Sequence, residues 1–187
     1  MKTLSKMEAA KYEKMWAGHY RGAPSPGLAC VEKAHKFFGN PMFRGCLLFD
    51  FGCGSGKATK AFNDLGYNAI GIDHAINAVE TDIVFVRSSL LELPPLMRPQ
   101  YSFCVDVLEH IPTDHVDDVL AVIGSCEEAA FLQISLREDY GGKKIGETLH
   151  LTVKPKEWWL DKVELYFNIQ RYETPAQDVL ELYLSAL

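Results

Sequence analysis

The sequence predicts an α/β protein built on a mainly parallel, doubly wound sheet. Three observations carry that expectation. The apolar run Leu47-Leu48-Phe49-Asp50-Phe51 is followed at once by Gly52, Gly54 and Gly56, alternating with small residues. Roughly twenty residues later, the usual offset in a nucleoside-binding unit, Asn68-Ala69-Ile70-Gly71-Ile72-Asp73 forms a second apolar run closed by an acid. Strand-like and helix-like segments then keep alternating to residue 135, as a parallel sheet with helices on both faces requires. The 187 residues are read as one domain, 1–187, with a helical N-terminal lid over 1–40 and an α/β core over 45–187.

Apolar spacing predicts a first helix over 7–15, and Gly18, Gly22 and Pro24-Ser25-Pro26-Gly27 break the chain beyond it. A second helix is expected over 28–38, stopped by Gly39-Asn40-Pro41. The core then reads as strand 47–51, helix 57–65, strands 68–72, 83–86 and 103–107, helix 114–123 and strand 129–135. Segments 162–169 and 179–186 read as two further strands joined by a turn near Glu173-Thr174-Pro175.

The glycine turn narrows the ligand. Glycine reaches backbone angles that a Cβ forbids and lets a ligand lie against the main chain. A dinucleotide turn, G-x-G-x-x-G/A, needs a small residue where this chain has Lys57. A phosphate loop, G-x-x-x-x-G-K-[ST], needs Gly and a hydroxyl where the chain has Phe51 and Ala58. Pyrophosphate cofactors are therefore disfavoured. The remaining pattern, D-x-G-C-G-x-G from Asp50 to Gly56, resembles motif I of the class I S-adenosylmethionine-dependent methyltransferases.

Three more segments carry the resemblance in the same order. Ile83 to Pro94 is similar to the third strand and its adenine-binding turn. Tyr101 to Pro112 contains Asp106-Val107-Leu108-Glu109-His110-Ile111, similar to a signature of small-molecule methyltransferases. Gly146 to Pro155 resembles the segment before a late helix, where many members carry a His, here His150. One departure is Ser89, where many members have Asp at the adenine turn. The resemblance implies a seven-stranded sheet with the last strand inserted between two earlier ones, and S-adenosyl-L-methionine as cofactor.

It also implies residue roles. Gly52, Cys53, Gly54 and Gly56 would pass against the sugar and amino-acid portion of the cofactor, with Asp50 orienting the loop or reaching the amino group. Asp73 would hold the ribose. His74, Ser89 and Leu90 would flank the adenine, and Asp106 would lie near the methionine end. His150 and His110 are the general-base candidates, since imidazole takes a proton near neutral pH. Asp106 and Glu109 have an alternative reading, equally weighted, as the start of a solvated helix. Tyr12, Trp16 and Tyr20 share a helical face and suit a lid, because aromatic rings also favour a cationic sulfonium. Of Trp158 and Trp159, one ring is expected in the core and one at the pocket rim.

Composition bounds the partners. Lys plus Arg is 19 against 25 Asp plus Glu, a net charge of −6, and the basic residues are scattered, so a nucleic-acid partner is disfavoured. The 5 cysteines form no C-x-x-C pair, which points to reduced thiols in a cytoplasmic protein, and no metal site is expected. No apolar run is long enough for a membrane span. The reading is a methyltransferase acting on an oxygen or nitrogen of a small molecule, as monomer or homodimer. The alternatives are an RNA or protein acceptor, or a catalytically silent cofactor-binding partner subunit.

Overall fold

The computed structural model describes residues 2–18, 24–41, 45–93 and 98–187, with only the backbone of 2–6. Seven strands form one sheet: β1 (Leu47–Phe51), β2 (Asn68–Asp73), β3 (Val84–Arg87), β4 (Tyr101–Val105), β5 (Ala129–Ser135), β6 (Phe167–Ala176) and β7 (Val179–Ala186). Their order is β3-β2-β1-β4-β5-β7-β6. β1 to β5 pair in parallel, while β7 runs antiparallel to both β5 and β6. The last strand is thus inserted between two earlier ones, as expected.

Among the described residues five α-helices accompany the sheet: α1 (Lys2–Ala17), α2 (Pro26–Phe38), α3 (Lys57–Asp64), α4 (Val116–Ile123) and α5 (Lys156–Val163). Alternation along β1 separates the two faces. Leu48 turns toward α2 and α3, joining Val31, Ala34, Phe38, Phe62 and Phe103. Phe49 and Phe51 turn toward α4 and α5, joining Val119, Leu120, Ile123, Trp159 and Val163. Both faces are covered, so the central strands are apolar almost throughout, and β4 is buried along its whole length.

One N-terminal expectation is corrected. α2 is no part of a lid. Its N-cap Ser25 accepts a hydrogen bond from the Leu28 amide at 3.2 Å, and its buried side chains sit in the core. Lys33 on α2 also donates to the fully buried Glu181 of β7 at 2.7 Å, tying the helix across the sheet. Among the described helices, α1 contributes to neither buried cluster. It spans the carboxyl end of the sheet, where Asn77 Nδ2 donates to the Glu13 carbonyl at 2.8 Å on one side and Lys14 Nζ to the Ile145 carbonyl at 2.5 Å on the other.

The C-terminal expectations shift as well. Residues 162–163 finish α5 rather than starting a strand, because Trp159 and Val163, one helical turn apart, are both fully buried. The hairpin turns at Gln177-Asp178, not at Pro175. Pro175 lies on β6, the outer strand of the sheet, where the pairing breaks register between Glu173 and Ala176. An edge strand with a bulge tolerates the missing amide donor.

Candidate active site

The strand order reverses between β1 and β4, and a ligand crevice is expected outside the carboxyl ends of strands at that point. A cavity of about 400 Å³ lies there, within the range of small-molecule sites. Its floor is the turn after β1. Gly52 and Gly54 have φ of 73° and 51°, angles that favour glycine, and both line the cavity with bare backbone. A Cβ on Gly52 would come 2.3 Å from Cγ2 of Val107, and one on Gly54 would come 3.0 Å from the Trp16 ring.

Gly56 departs from its expected role. It does not line the cavity. It precedes α3 at φ 76°, and a Cβ there would come 2.5 Å from Thr81 Oγ1 and 2.7 Å from Ile83 Cδ1. This glycine lets the turn pack on the segment leading into β3.

Asp73, at the tip of β2, accepts from two backbone amides: Gly54 N–H to Oδ2 at 3.0 Å and Ala75 N–H to Oδ1 at 2.8 Å. It therefore pins the glycine turn as well as facing the cavity, and its remaining lone pairs are available to hydroxyl donors. His74 and Tyr12 stand side by side with ring centroids 4.9 Å apart, and both line the cavity. Ser89 and Leu90 line it too, in a turn where the Ser89 hydroxyl accepts from the Leu91 amide at 3.2 Å, leaving its own proton to donate. Cys53 is buried on the cavity wall, and burial raises its thiol far above the usual range, which removes it as a nucleophile at neutral pH.

Asp50 is buried beneath the turn, and Thr59 Oγ1 donates to its Oδ2 at 2.6 Å. Burial pushes its carboxyl up to about 7. Unfolded aspartate titrates near ~3.9, so the folded state holds this proton more tightly, and the resulting stability is complete below about pH 4 and lost as pH rises through about 7. Asp50→Asn, which cannot ionise, is expected to melt close to the parent at pH 4.5 and several degrees above it at pH 8. Thermal melts of the two proteins at both pH values check this.

After β4 the chain turns sharply at Asp106, whose φ of 54° makes it the one non-glycine in the left-handed region among the described residues. That geometry is uncommon outside Asn, Asp and Gly, and here it turns a half-buried carboxyl toward the cavity. Burial raises this carboxyl, while His150 and Arg137 pull it down. Glu109 is not solvated, as its position suggested, but fully buried. Its carbonyl accepts from the amides of Leu151 and Thr152 at 2.8 and 2.9 Å, a contact across about forty residues of chain that no local pattern announces. His110 and His150 both line the cavity, with ring centroids 4.8 Å apart. Burial, reinforced by His150, brings His110 down to about 3, so it is too weak a base to take a proton at neutral pH.

α1 closes the top. Tyr12 and Trp16 line the cavity, and the buried Tyr12 hydroxyl has no hydrogen-bond partner among the described residues. Tyr20 lies outside the described residues. Trp158 does not line the cavity. It sits partly buried against the α4–α5 side, with Lys154 and Lys162 over its ring at 5.8 and 5.6 Å.

No protein-family model and no curated protein matches the sequence. Solved structures do match. The 1,6-didemethyltoxoflavin-N1-methyltransferase of Burkholderia thailandensis, solved with 1,6-didemethyltoxoflavin and S-adenosylhomocysteine, aligns over 97% of this chain and 90% of its own, with a TM-score of 0.70 and 15% identity. The magnesium protoporphyrin IX methyltransferase of Synechocystis PCC 6803, with bound SAH, aligns over 98% and 95%, with a TM-score of 0.69 and 16% identity. The chain has the class I methyltransferase fold. The N-methyltransferase NodS of Bradyrhizobium japonicum WM9 shares that fold over 93% of this chain and 95% of its own, with a TM-score of 0.63 and 12% identity. In this fold the turn after β1 and the tips of β2 and β4 meet at one crevice, and among the described residues every expected site residue except Gly56 lines it.

Proposed function

We propose that this chain is an S-adenosylmethionine-dependent methyltransferase acting on an oxygen or nitrogen of a small molecule. The observation that carries the reading is the convergence of bare Gly52 and Gly54 backbone, the Asp73 carboxylate and the orphaned Tyr12 hydroxyl on one cavity. Those groups fit a nucleoside bearing an amino-acid tail. Asp73 would accept from the ribose hydroxyls, Ser89 and Leu90 would bound the adenine with His74 opposite, and the glycine turn would lie along the tail. When bound, the cofactor supplies an electrophilic methyl on a sulfonium. The protein's part is to hold donor and acceptor in line and to keep water out.

Charge and closure argue for the acceptor class. Asp73, Asp106, Glu138 and Asp139 bring carboxyl groups to the cavity wall, beside Glu8, which is paired with Lys11, and Asp50, which burial holds toward its neutral form. The cations there among the described residues are Lys57, paired with Glu80 at 3.3 Å, and Arg137, paired with Asp178 at 3.2 Å. A wall with that balance repels polyanions, which argues against nucleic acid and against phosphorylated acceptors. It favours a cationic sulfonium and a neutral or basic acceptor. α1 lying across the opening suits a small acceptor better than a polymer strand. His150 stands on the cavity wall, its ring held by Nδ1 bonded to the Arg137 carbonyl at 2.7 Å.

Incubating the protein with methyl-labelled S-adenosylmethionine and three separate fractions, small metabolites, total RNA and total protein, tests the reading. Label is expected in the small-metabolite fraction. Label confined to RNA or protein would replace the acceptor class, and no transfer from a protein that binds the donor would favour a partner subunit.

A further inference from the structure

Glu109, His110 and His150, the two histidines on the cavity wall and the glutamate buried beside them, form a cluster whose donor atoms lie within 4.8 Å of one another. Each imidazole is fixed by its backbone contact. Nδ1 of His110 is 3.0 Å from the Leu149 carbonyl, and Nδ1 of His150 is 2.7 Å from the Arg137 carbonyl. A carbonyl only accepts, so both Nδ1 atoms carry the proton and both Nε2 atoms carry a lone pair. This is the arrangement by which proteins orient histidines for metal ions. Glu109 contributes an independent observation. It is fully buried, its Oε1 accepts from the Ser135 amide at 3.2 Å, and its Oε2 is buried with no hydrogen-bond partner among the described residues. An enclosed carboxylate oxygen without a donor is costly unless a cation meets it.

We propose that Glu109, His110 and His150 bind one divalent transition-metal ion at the cavity wall, a site the sequence pattern did not suggest. Two imidazoles and one carboxylate suit zinc, iron, cobalt or manganese rather than calcium, which takes oxygen ligands throughout. Ligand bonds of about 2.0–2.2 Å set donor atoms roughly 3–4 Å apart, so the three groups close by about an ångström around the ion. Three protein ligands leave open positions, and both histidines line the cavity. On the methyl-transfer reading, on which this consequence but not the binding rests, an acceptor oxygen on the ion would be held in place and made a better nucleophile.

The test is calorimetric titration of Zn²⁺ into full-length protein stripped with chelator, alongside His150→Ala, Glu109→Gln and, as a surface control, His115→Ala. One equivalent is expected to bind the parent and His115→Ala, with affinity at least tenfold weaker in His150→Ala and Glu109→Gln. Substituting Co²⁺ should give visible bands that His150→Ala loses. If Glu109→Gln does not fold, His150→Ala, on the cavity wall, carries the comparison. No saturable site in the parent, or the same affinity in His150→Ala, overturns the proposal. S-adenosylhomocysteine titrated into the stripped protein separates the two readings: zinc binding without it leaves the metal site standing and removes the methyltransferase reading, and the converse does the opposite.

Discussion

Gly52→Ala is expected to abolish S-adenosylhomocysteine binding and to lower stability by roughly 2–4 kcal/mol. Two effects add. The residue sits at φ 73°, where an L side chain is strained, and its Cβ would come 2.3 Å from Val107 Cγ2. Val107 is β-branched and adjoins the left-handed turn at Asp106, so it cannot swing aside freely. The backbone of the turn must move instead, and the turn is the cavity floor. Adding Val107→Ala to Gly52→Ala relieves the clash but not the strain, so the double variant should regain part of both losses. Denaturant unfolding and calorimetry on the single and double variants measure this. A Gly52→Ala protein of parental affinity would mean that the turn does not carry the ligand.

Asp73→Ala should weaken cofactor binding by at least about tenfold while the fold persists. A hydrogen bond to a charged acceptor contributes roughly 1.5–3 kcal/mol, and Asp73 has two tasks. It accepts from the Gly54 and Ala75 amides, and it offers its remaining lone pairs to the ribose. Removing it frees the turn and strips the sugar of its acceptor. Circular dichroism should be unchanged and melting lowered only slightly, because the buried clusters lie elsewhere. An unchanged dissociation constant would reduce Asp73 to an anchor for the turn.

What the sequence conveyed depended on the range of the contacts involved. The strand, glycine turn, helix and second strand were legible because each is announced locally, by an apolar run, by small residues and by an acid at a fixed offset. The inward placement of Gly56 was not, since alternating glycines do not reveal which one meets Thr81 and Ile83. The burial of Glu109 depends on residues 151 and 152 folding back over it, so a D-x-x-E-H pattern alone read as a solvated helix start. The 1–40 lid boundary takes in α2, and nothing local to α2 announces the Lys33–Glu181 contact that ties it to β7. The C-terminal hairpin was displaced because Pro175 signals a turn, yet an edge strand accepts it at a bulge. In the cavity itself, nearly every residue taken from the resemblance lines the wall, while the pairing of both wall cations with carboxylates could be read only from the assembled structure.

The central claim is that one cavity at the tips of β1, β2 and β4 takes a nucleoside with an amino-acid tail and no pyrophosphate. Calorimetric titration of the parent protein with S-adenosylmethionine, S-adenosylhomocysteine, NAD and ATP tests it most directly. A single saturable site is expected for the first two, with no measurable binding of NAD or ATP. Saturable binding of NAD or ATP, with none of S-adenosylmethionine or S-adenosylhomocysteine, would contradict it.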